Sequence, residues 1–96
     1  MQTRLAKLSV IIPAFNEEKA IESVIRSLLE VLRNRFDAFE LLVVDDGSTD
    51  NTSEIAKACN GTRVIRHSSN KGYGAALKTG LHHAKYKWIC ITDSDG

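Results

Sequence analysis

Residues 8–46 read LSVIIPAFNEEKAIESVIRSLLEVLRNRFDAFELLVVDD, and this stretch decides the fold. It opens with Leu8–Pro13, a continuous apolar run rich in β-branched side chains and closed by a proline. A run that is apolar on both faces suits a strand covered on both sides, so it predicts a buried strand of a parallel sheet. Asn16 is placed to cap a helix, with Glu17 and Glu18 in the first turn, where carboxylates complement the positive end of the helix dipole. Ile21, Val24, Ile25, Leu28, Leu29 and Leu32 follow at i, i+3, i+4, i+7, i+8 and i+11, a single apolar stripe on one helical face. Glu40–Asp45 (ELLVVD) is a second buried strand, ended by a turn at Asp46-Gly47-Ser48. Strand, helix and strand joined this briefly make a right-handed βαβ unit.

The same alternation continues. Asn51, three residues before Glu54, can cap a second helix with Ile55, Ala58 and Cys59 on its inner face, and Asn60-Gly61 stops it. Thr62–Arg66 is a short third strand and Ser68–Gly74 a polar, glycine-rich loop. Ala75–Lys85 is a third helix with Leu77, Leu81 and Ala84 inward, and Gly80 allows it to approach the sheet closely. Lys87–Thr92 is a fourth strand, followed by Asp93-Ser94-Asp95-Gly96. This order predicts an α/β fold with a doubly wound, mostly parallel sheet. No covering helix follows the fourth strand, although a parallel sheet needs both faces covered. Residues 1–96 are therefore expected to form the incomplete N-terminal part of a longer domain, truncated after the fourth strand.

Composition narrows the function classes. At 96 residues, 43% hydrophobic and 26% charged, the chain is one ordinary soluble domain or a piece of one. Chains of this size bury about 60–65% of the surface they expose when unfolded, so the core is thin. A formal charge of +1 gives no broad footprint for nucleic acid or an anionic membrane. One proline and six glycines exclude collagen-like and low-complexity classes. No apolar run approaches the ~20 residues of a membrane span, and Met1–Lys7 is too polar for a secretory signal. Cys59 and Cys90 make no disulfide framework and read as small apolar core residues. A cytoplasmic protein is the expectation, held at the cytoplasmic face of a membrane only through segments beyond residue 96.

In open α/β sheets, ligands bind in the crevice outside the carboxyl ends of the strands. Six of the twelve acidic residues fall there: Glu17 after the first strand, Asp45, Asp46 and Asp50 after the second, Asp93 and Asp95 after the fourth. Converging carboxylates repel one another and are tolerated where a cation is held. Mg²⁺ and Mn²⁺ suit such a site when substrate phosphates complete the octahedron, which makes a diphosphate the natural ligand. Alone, Asp93-x-Asp95 reads more often as a turn than as a metal site, and Asp46-Gly47-Ser48 does too. Their joint placement at two strand ends of one sheet reverses that weighting. Asn70-Lys71-Gly72-Tyr73-Gly74, leading into a helix, suits an anion. It is neither a Walker loop nor a dinucleotide fingerprint, because Lys78-Thr79 lacks the preceding glycine and Leu77 occupies the third glycine position. His67 reads as structural, His82 and His83 as solvated surface, and Trp88 and Phe15 as packing residues, with Phe15 close enough to wall the crevice.

Taken together, Ser9–Glu18 (SVIIPAFNEE), Val43–Asp50 (VVDDGSTD), Asn70–Gly74 (NKGYG) and Thr92–Gly96 (TDSDG) resemble the family 2 glycosyltransferases. The chain is similar in particular to the branch that makes polyprenyl-phosphate sugars, the dolichyl-phosphate mannose and glucose synthases. The resemblance implies a Rossmann-like nucleotide-sugar transferase fold, of which residues 1–96 are the donor-binding part. It implies that Pro13, Ala14, Phe15 and Glu17 line the nucleotide pocket, that Asp45 and Asp46 hold base and ribose, and that Lys71 and Gly72 flank the donor. It gives Asp93 and Asp95 the catalytic role of binding a divalent metal, Mg²⁺ or Mn²⁺, and through it the diphosphate. The implied reaction is inverting transfer of a hexose from a UDP- or GDP-linked donor to a polyprenyl phosphate or a glycan hydroxyl. An anionic phosphate acceptor needs no general base, whereas a hydroxyl does, and that base would lie downstream. The fragment by itself is expected to show no turnover, and its uncovered edge strand offers a route to a homodimer. Two other classes share some of these features. A phospho-receiver domain would place its acidic pair after the first strand rather than the second. A non-catalytic nucleotide-binding module would tolerate loss of the acidic positions, which here are intact.

Overall fold

The structure, a computed structural model, describes residues 5–94, with side chains from residue 7 onward. Its elements alternate strictly: β1 (Leu5–Ala14), α1 (Ile21–Arg35), β2 (Phe36–Asp45), α2 (Thr52–Ala58), β3 (Thr62–Arg66), α3 (Tyr73–His83) and β4 (Trp88–Ile91). The four strands form one parallel sheet in the order β3-β2-β1-β4. The chain steps outward from β1 to β2 to β3, then crosses back to place β4 on the other side of β1. That reversal puts α3 on the face opposite α1 and α2, which is the doubly wound arrangement the sequence predicts.

Period-2 alternation along the strands builds the two cores. Val10, Ile12 and Ala14 of β1 and Leu41 and Val43 of β2 meet Ile21, Ile25, Leu29 and Leu32 of α1, Ala56 of α2 and Cys59 just past its end. Ile11 and Val44 face the other way and meet Ala76 of α3, with Ile89 of β4 packed against them. Both faces of the two central strands are thus covered, as their unbroken apolar sequence requires. At the amino ends, the buried Ser9 hydroxyl donates to Glu40 Oε2 at 2.6 Å and accepts the Tyr86 N–H at 3.0 Å. This satisfies a polar group inside the sheet and fixes the α3–β4 connection.

Several local expectations are corrected. Strand β1 runs from Leu5 and β2 from Phe36, both longer than their apolar centres. Helix α1 starts at Ile21 with Ala20 at its cap position and no side-chain cap. Asn16 does not cap it: it sits at φ 53°, and its side-chain carbonyl accepts from the Thr49 N–H at 2.8 Å instead. Asn51 occupies the cap position of α2 without a side-chain bond. Asp50 supplies that bond, accepting from the Thr52 N–H at 3.0 Å. The inner face of α2 carries Ala56 where Ala58 was expected, and Ala58 is exposed.

In α3 the inward residues are Ala76 and Gly80, while Leu77 is half-buried, Leu81 is 51% exposed and Ala84 lies past the helix end. The reason is steric. A Cβ on Gly80 would stand 2.5 Å from Ile11 Cγ2, so the small-residue face sets how closely α3 seats on β1. Trp88 and Cys90 are not packing residues either. They pair with Leu8 and Val10 on edge strand β4, on the sheet face where α1 and α2 lie, yet Trp88 remains 64% exposed and Cys90 exposed. No described helix is long and apolar enough to cross a membrane.

Candidate functional site

All strands point their carboxyl ends to one edge, and hydrogen bonds carry the sheet ladder one residue further there. The Asp46 N–H donates to Ala14 O at 2.8 Å, the His67 N–H to Asp45 O at 2.8 Å and the Thr92 N–H to Ile11 O at 3.0 Å. The loops that follow, beginning at Phe15, Asp46, His67 and Asp93, converge on that edge.

The first two loops are locked together. Ser48 accepts the Asn16 N–H at 2.8 Å and donates its hydroxyl to Asp45 Oδ1 at 2.5 Å. Asp45 Oδ1 also accepts the Ser48 N–H at 3.0 Å. The Thr52 hydroxyl accepts the Glu17 N–H at 2.9 Å and itself donates to Asp50. Asp50 Oδ2 in turn accepts the Glu18 N–H at 3.3 Å. Burial pushes the Asp50 pKa up, but the Thr52 hydroxyl and N–H and the Glu18 N–H outweigh it and hold the carboxyl below its ordinary value. The acidic turn after β2 thus serves first as scaffold: its oxygens fix the backbone of Asn16, Glu17 and Glu18.

Successive residues on a strand face opposite sides, and this separates the acidic pair. Asp45 turns to the α1–α2 side, is fully buried, and spends Oδ1 on Ser48 while Oδ2 has no partner among the described residues. Asp46 turns to the α3 side. Its Oδ1 lies 2.7 Å from His67 Nδ1 and accepts the Lys71 N–H at 2.9 Å, and its Oδ2 accepts the Gly72 N–H at 2.8 Å. Burial again opposes ionisation, but the His67 hydrogen bond, the two backbone donors and the charge of His67 together keep Asp46 below the ordinary aspartate pKa. Asp46 is therefore an anion seated in a nest of N–H groups, with acceptor capacity left over.

A cleft of about 350 Å³ opens beside it, between the ends of β1 and β4 and the start of α3, where the strand order reverses. This is the place and size expected of a small-molecule site in such a sheet. Pro13, Ala14, Phe15 and Glu17 line it from the end of β1, Asp46 and Gly72 from the loops after β2 and β3, and Asp93 from the end of β4. Asn70, Tyr73, Ala76 and Ser94 complete it, and the sequence reading did not single these out for the pocket. Their signal was positional: each stands within or beside the two loops already assigned to this edge. Asp45 lies beneath the cleft rather than in it, and Lys71 reaches it through its N–H bond to Asp46. Asp95 lies outside the described residues. Among the described residues no three His, Cys, Asp or Glu side chains cluster as a metal site. Asp93 nonetheless suits a hard cation that takes most of its oxygens from elsewhere: it is exposed on the cleft wall and hydrogen-bonded to no described residue. A magnesium-type ion asks for only one or two carboxylates when phosphates and water supply the rest.

Known proteins share this fold. Residues 9–96 match the family described as glycosyl transferase family 2. An uncharacterized protein of Methanocaldococcus jannaschii is 46% identical over 94 residues, covering 94% of this chain and 36% of its own. The dolichyl-phosphate beta-glucosyltransferase of Saccharomyces cerevisiae is 34% identical over 99 residues, covering 93% of this chain and 30% of the relative. Glucosyl-3-phosphoglycerate synthase of Mycobacterium tuberculosis in complex with UDP superposes with a TM-score of 0.79 at 36% identity, over 94% of this chain and 34% of that one. The same synthase has been solved with Mn²⁺, UDP and glucosyl-3-phosphoglycerate together, at a TM-score of 0.78, 37% identity, and 92% and 33% coverage. The chain thus spans about a third of the length of these proteins.

Proposed function

We propose that this chain, which belongs to glycosyl transferase family 2 by its match over residues 9–96, carries the donor-binding half of an inverting hexosyltransferase that uses a UDP-linked sugar and a polyprenyl phosphate. The observation that carries the reading is the cleft at the β1/β4 reversal, which brings Phe15, Glu17, Asp46, Gly72 and Asp93 from four separate loops to one face. The UDP complex of the mycobacterial synthase supports the base, and the dolichyl-phosphate relative supports the acceptor.

The chemistry asks three things of such a site. The nucleoside must be held, and Asp46 has acceptor capacity for N–H or hydroxyl donors, with the Phe15 ring at the wall to cover an aromatic base. The donor must be oriented, which the two locked loops achieve by fixing Asn16 to Glu18 before any ligand arrives. The leaving diphosphate must be stabilised as the acceptor oxygen bonds to the anomeric carbon and the bond to the diphosphate breaks. Asp93 and Asp95 would hold a divalent cation, Mg²⁺ or Mn²⁺, which when bound would supply Lewis-acid stabilisation of that charge. A phosphate acceptor is already anionic near neutral pH, so this half needs no general base. A receiver domain has lost its support, because the acidic pair follows β2 and the family match lies elsewhere.

Thermal unfolding of the chain with UDP, GDP and their hexose conjugates, with and without Mn²⁺, tests the reading. At about 100 times its Kd a ligand adds ~2.7 kcal/mol of stability, which moves the midpoint visibly. A rise with UDP that needs the metal supports the proposal. A rise with GDP alone replaces the base, and no rise in a folded chain rejects the donor site.

A further inference from the structure

His67 stands outside the cleft lining, yet its ring joins three elements. It follows β3, its Nδ1 faces Asp46 Oδ1 at 2.7 Å, and its Nε2 faces the Thr79 hydroxyl of α3 at 2.7 Å. The ring is buried, and both of its nitrogens are used. We propose that His67 is a positioning residue of the donor site: it holds the Asp46 carboxylate against the N–H groups of Lys71 and Gly72 and thereby fixes the loop that walls the cleft. The proposal rests on reading that cleft as the donor site.

The hydrogen-bond inventory assigns the roles. An ionised Asp46 only accepts, so Nδ1 carries the hydrogen that points at it. The Thr79 hydroxyl can donate to a bare Nε2 or accept from a protonated one, so it satisfies the ring in either state. With Nε2 committed to Thr79, no ring nitrogen is left to face a substrate, and His67 is not a general base here. What it controls is Asp46, whose two oxygens receive the consecutive N–H groups of Lys71 and Gly72. Gly72 is a cleft residue at φ 103°, and Tyr73 beside it begins α3, so the carboxylate sets the position of one entire wall. Remove the Nδ1 donor and a buried carboxylate loses one of its three partners, which frees it to shift and release the loop.

The test compares the chain with His67→Phe, which keeps a ring without donors, with His67→Asn, whose amide N–H can take the Nδ1 place, and with Thr79→Val. Solvent exchange of the Lys71 and Gly72 amides and the Kd for UDP with Mn²⁺ are both measured. In His67→Phe the two amides should exchange about tenfold faster and UDP should bind about tenfold more weakly, the loss of one charge-assisted bond. The amides of Ile11 and Val43 should be unchanged. His67→Asn should restore most of both effects, and Thr79→Val should weaken them only partly. Unchanged Lys71 and Gly72 exchange in His67→Phe overturns the proposal. So does faster exchange that leaves the UDP Kd unaltered, or a loosening that spreads to Ile11 and Val43. A parent chain that binds no UDP sinks the donor reading itself, and the exchange comparison still decides whether His67 fixes the loop.

Discussion

The backbone N–H of Asn16 donates to the hydroxyl oxygen of Ser48 at 2.8 Å, a bond across thirty-two positions of sequence that ties the loop after β1 to the turn after β2. The same hydroxyl donates to Oδ1 of buried Asp45, so one small side chain holds a carboxylate oxygen and anchors a cleft wall together.

Ser48→Ala removes both bonds. Asp45 keeps only the Ser48 N–H, and a fully buried carboxylate is left short of partners. We expect a loss of about 2–3 kcal/mol in denaturant unfolding, with an unchanged m-value. A loss below about 0.5 kcal/mol would mean that Asp45 is satisfied in another way.

Gly47→Ala should be worse than an ordinary turn substitution. Gly47 lies at φ 76°, and a Cβ there would meet the Ser69 carbonyl carbon at 2.5 Å and the Asn70 nitrogen at 2.7 Å. Both obstacles are backbone, so the loop that carries Asn70 and Gly72 must move. Expected are a destabilisation of about 2 kcal/mol or more and chemical-shift changes concentrated at residues 68–73. A neutral substitution would contradict the close contact of the two turns.

Acid should act through Asp46 and Asp50. Both have folded pKa values below the ordinary 3.8, so the folded state binds fewer protons than the unfolded chain. Their contribution is fully present above that value and is lost as pH falls through the depressed ones. Thermal midpoints should drop steeply below about pH 4, and Asp46→Asn should flatten part of that limb while lowering stability at neutral pH. An acid limb identical in the variant would show that Asp46 is not held in this way.

Asp93→Asn should leave folding untouched, because the side chain is exposed and bonded to no described residue. Circular dichroism and the unfolding midpoint should match the parent, while the metal-dependent part of UDP binding falls about tenfold or more. Equal metal-dependent binding in the variant would remove Asp93 from the site.

Much of this was legible from the residues. Unbroken apolar strands and one clean helical stripe implied a parallel sheet with helices on both faces, and the acidic residues at strand ends pointed to the edge where the cleft opens. Asn16 misled because an Asn before two glutamates is a good cap sequence, whereas the fold spends its amide on Thr49. The close approach of α3 at Gly80 was legible and is borne out by the distance to Ile11, but the inward positions given to Leu77, Leu81 and Ala84 were not, because Leu77 and Leu81 outweigh Ala76 in hydrophobicity while the close seating leaves room only for small residues. Asp45 and Asp46 could not be told apart until the strand register turned one beneath the cleft and the other into it. His67 was invisible as a partner of Asp46 because the two meet across twenty-one positions without a local pattern.

The cleft at the β1/β4 reversal is proposed as the binding site of a nucleoside diphosphate with a divalent cation. The most direct measurement is amide NMR of the ¹⁵N-labelled chain titrated with UDP and Mg²⁺, then with Mn²⁺ as a paramagnetic probe. Shifts should gather at Phe15, Gly72 and Tyr73, and Mn²⁺ in the presence of UDP should broaden Asp93 and Ser94 first. Broadening centred on the groove formed by Arg26, Glu30 and Asn60, or none at any concentration, would contradict the account.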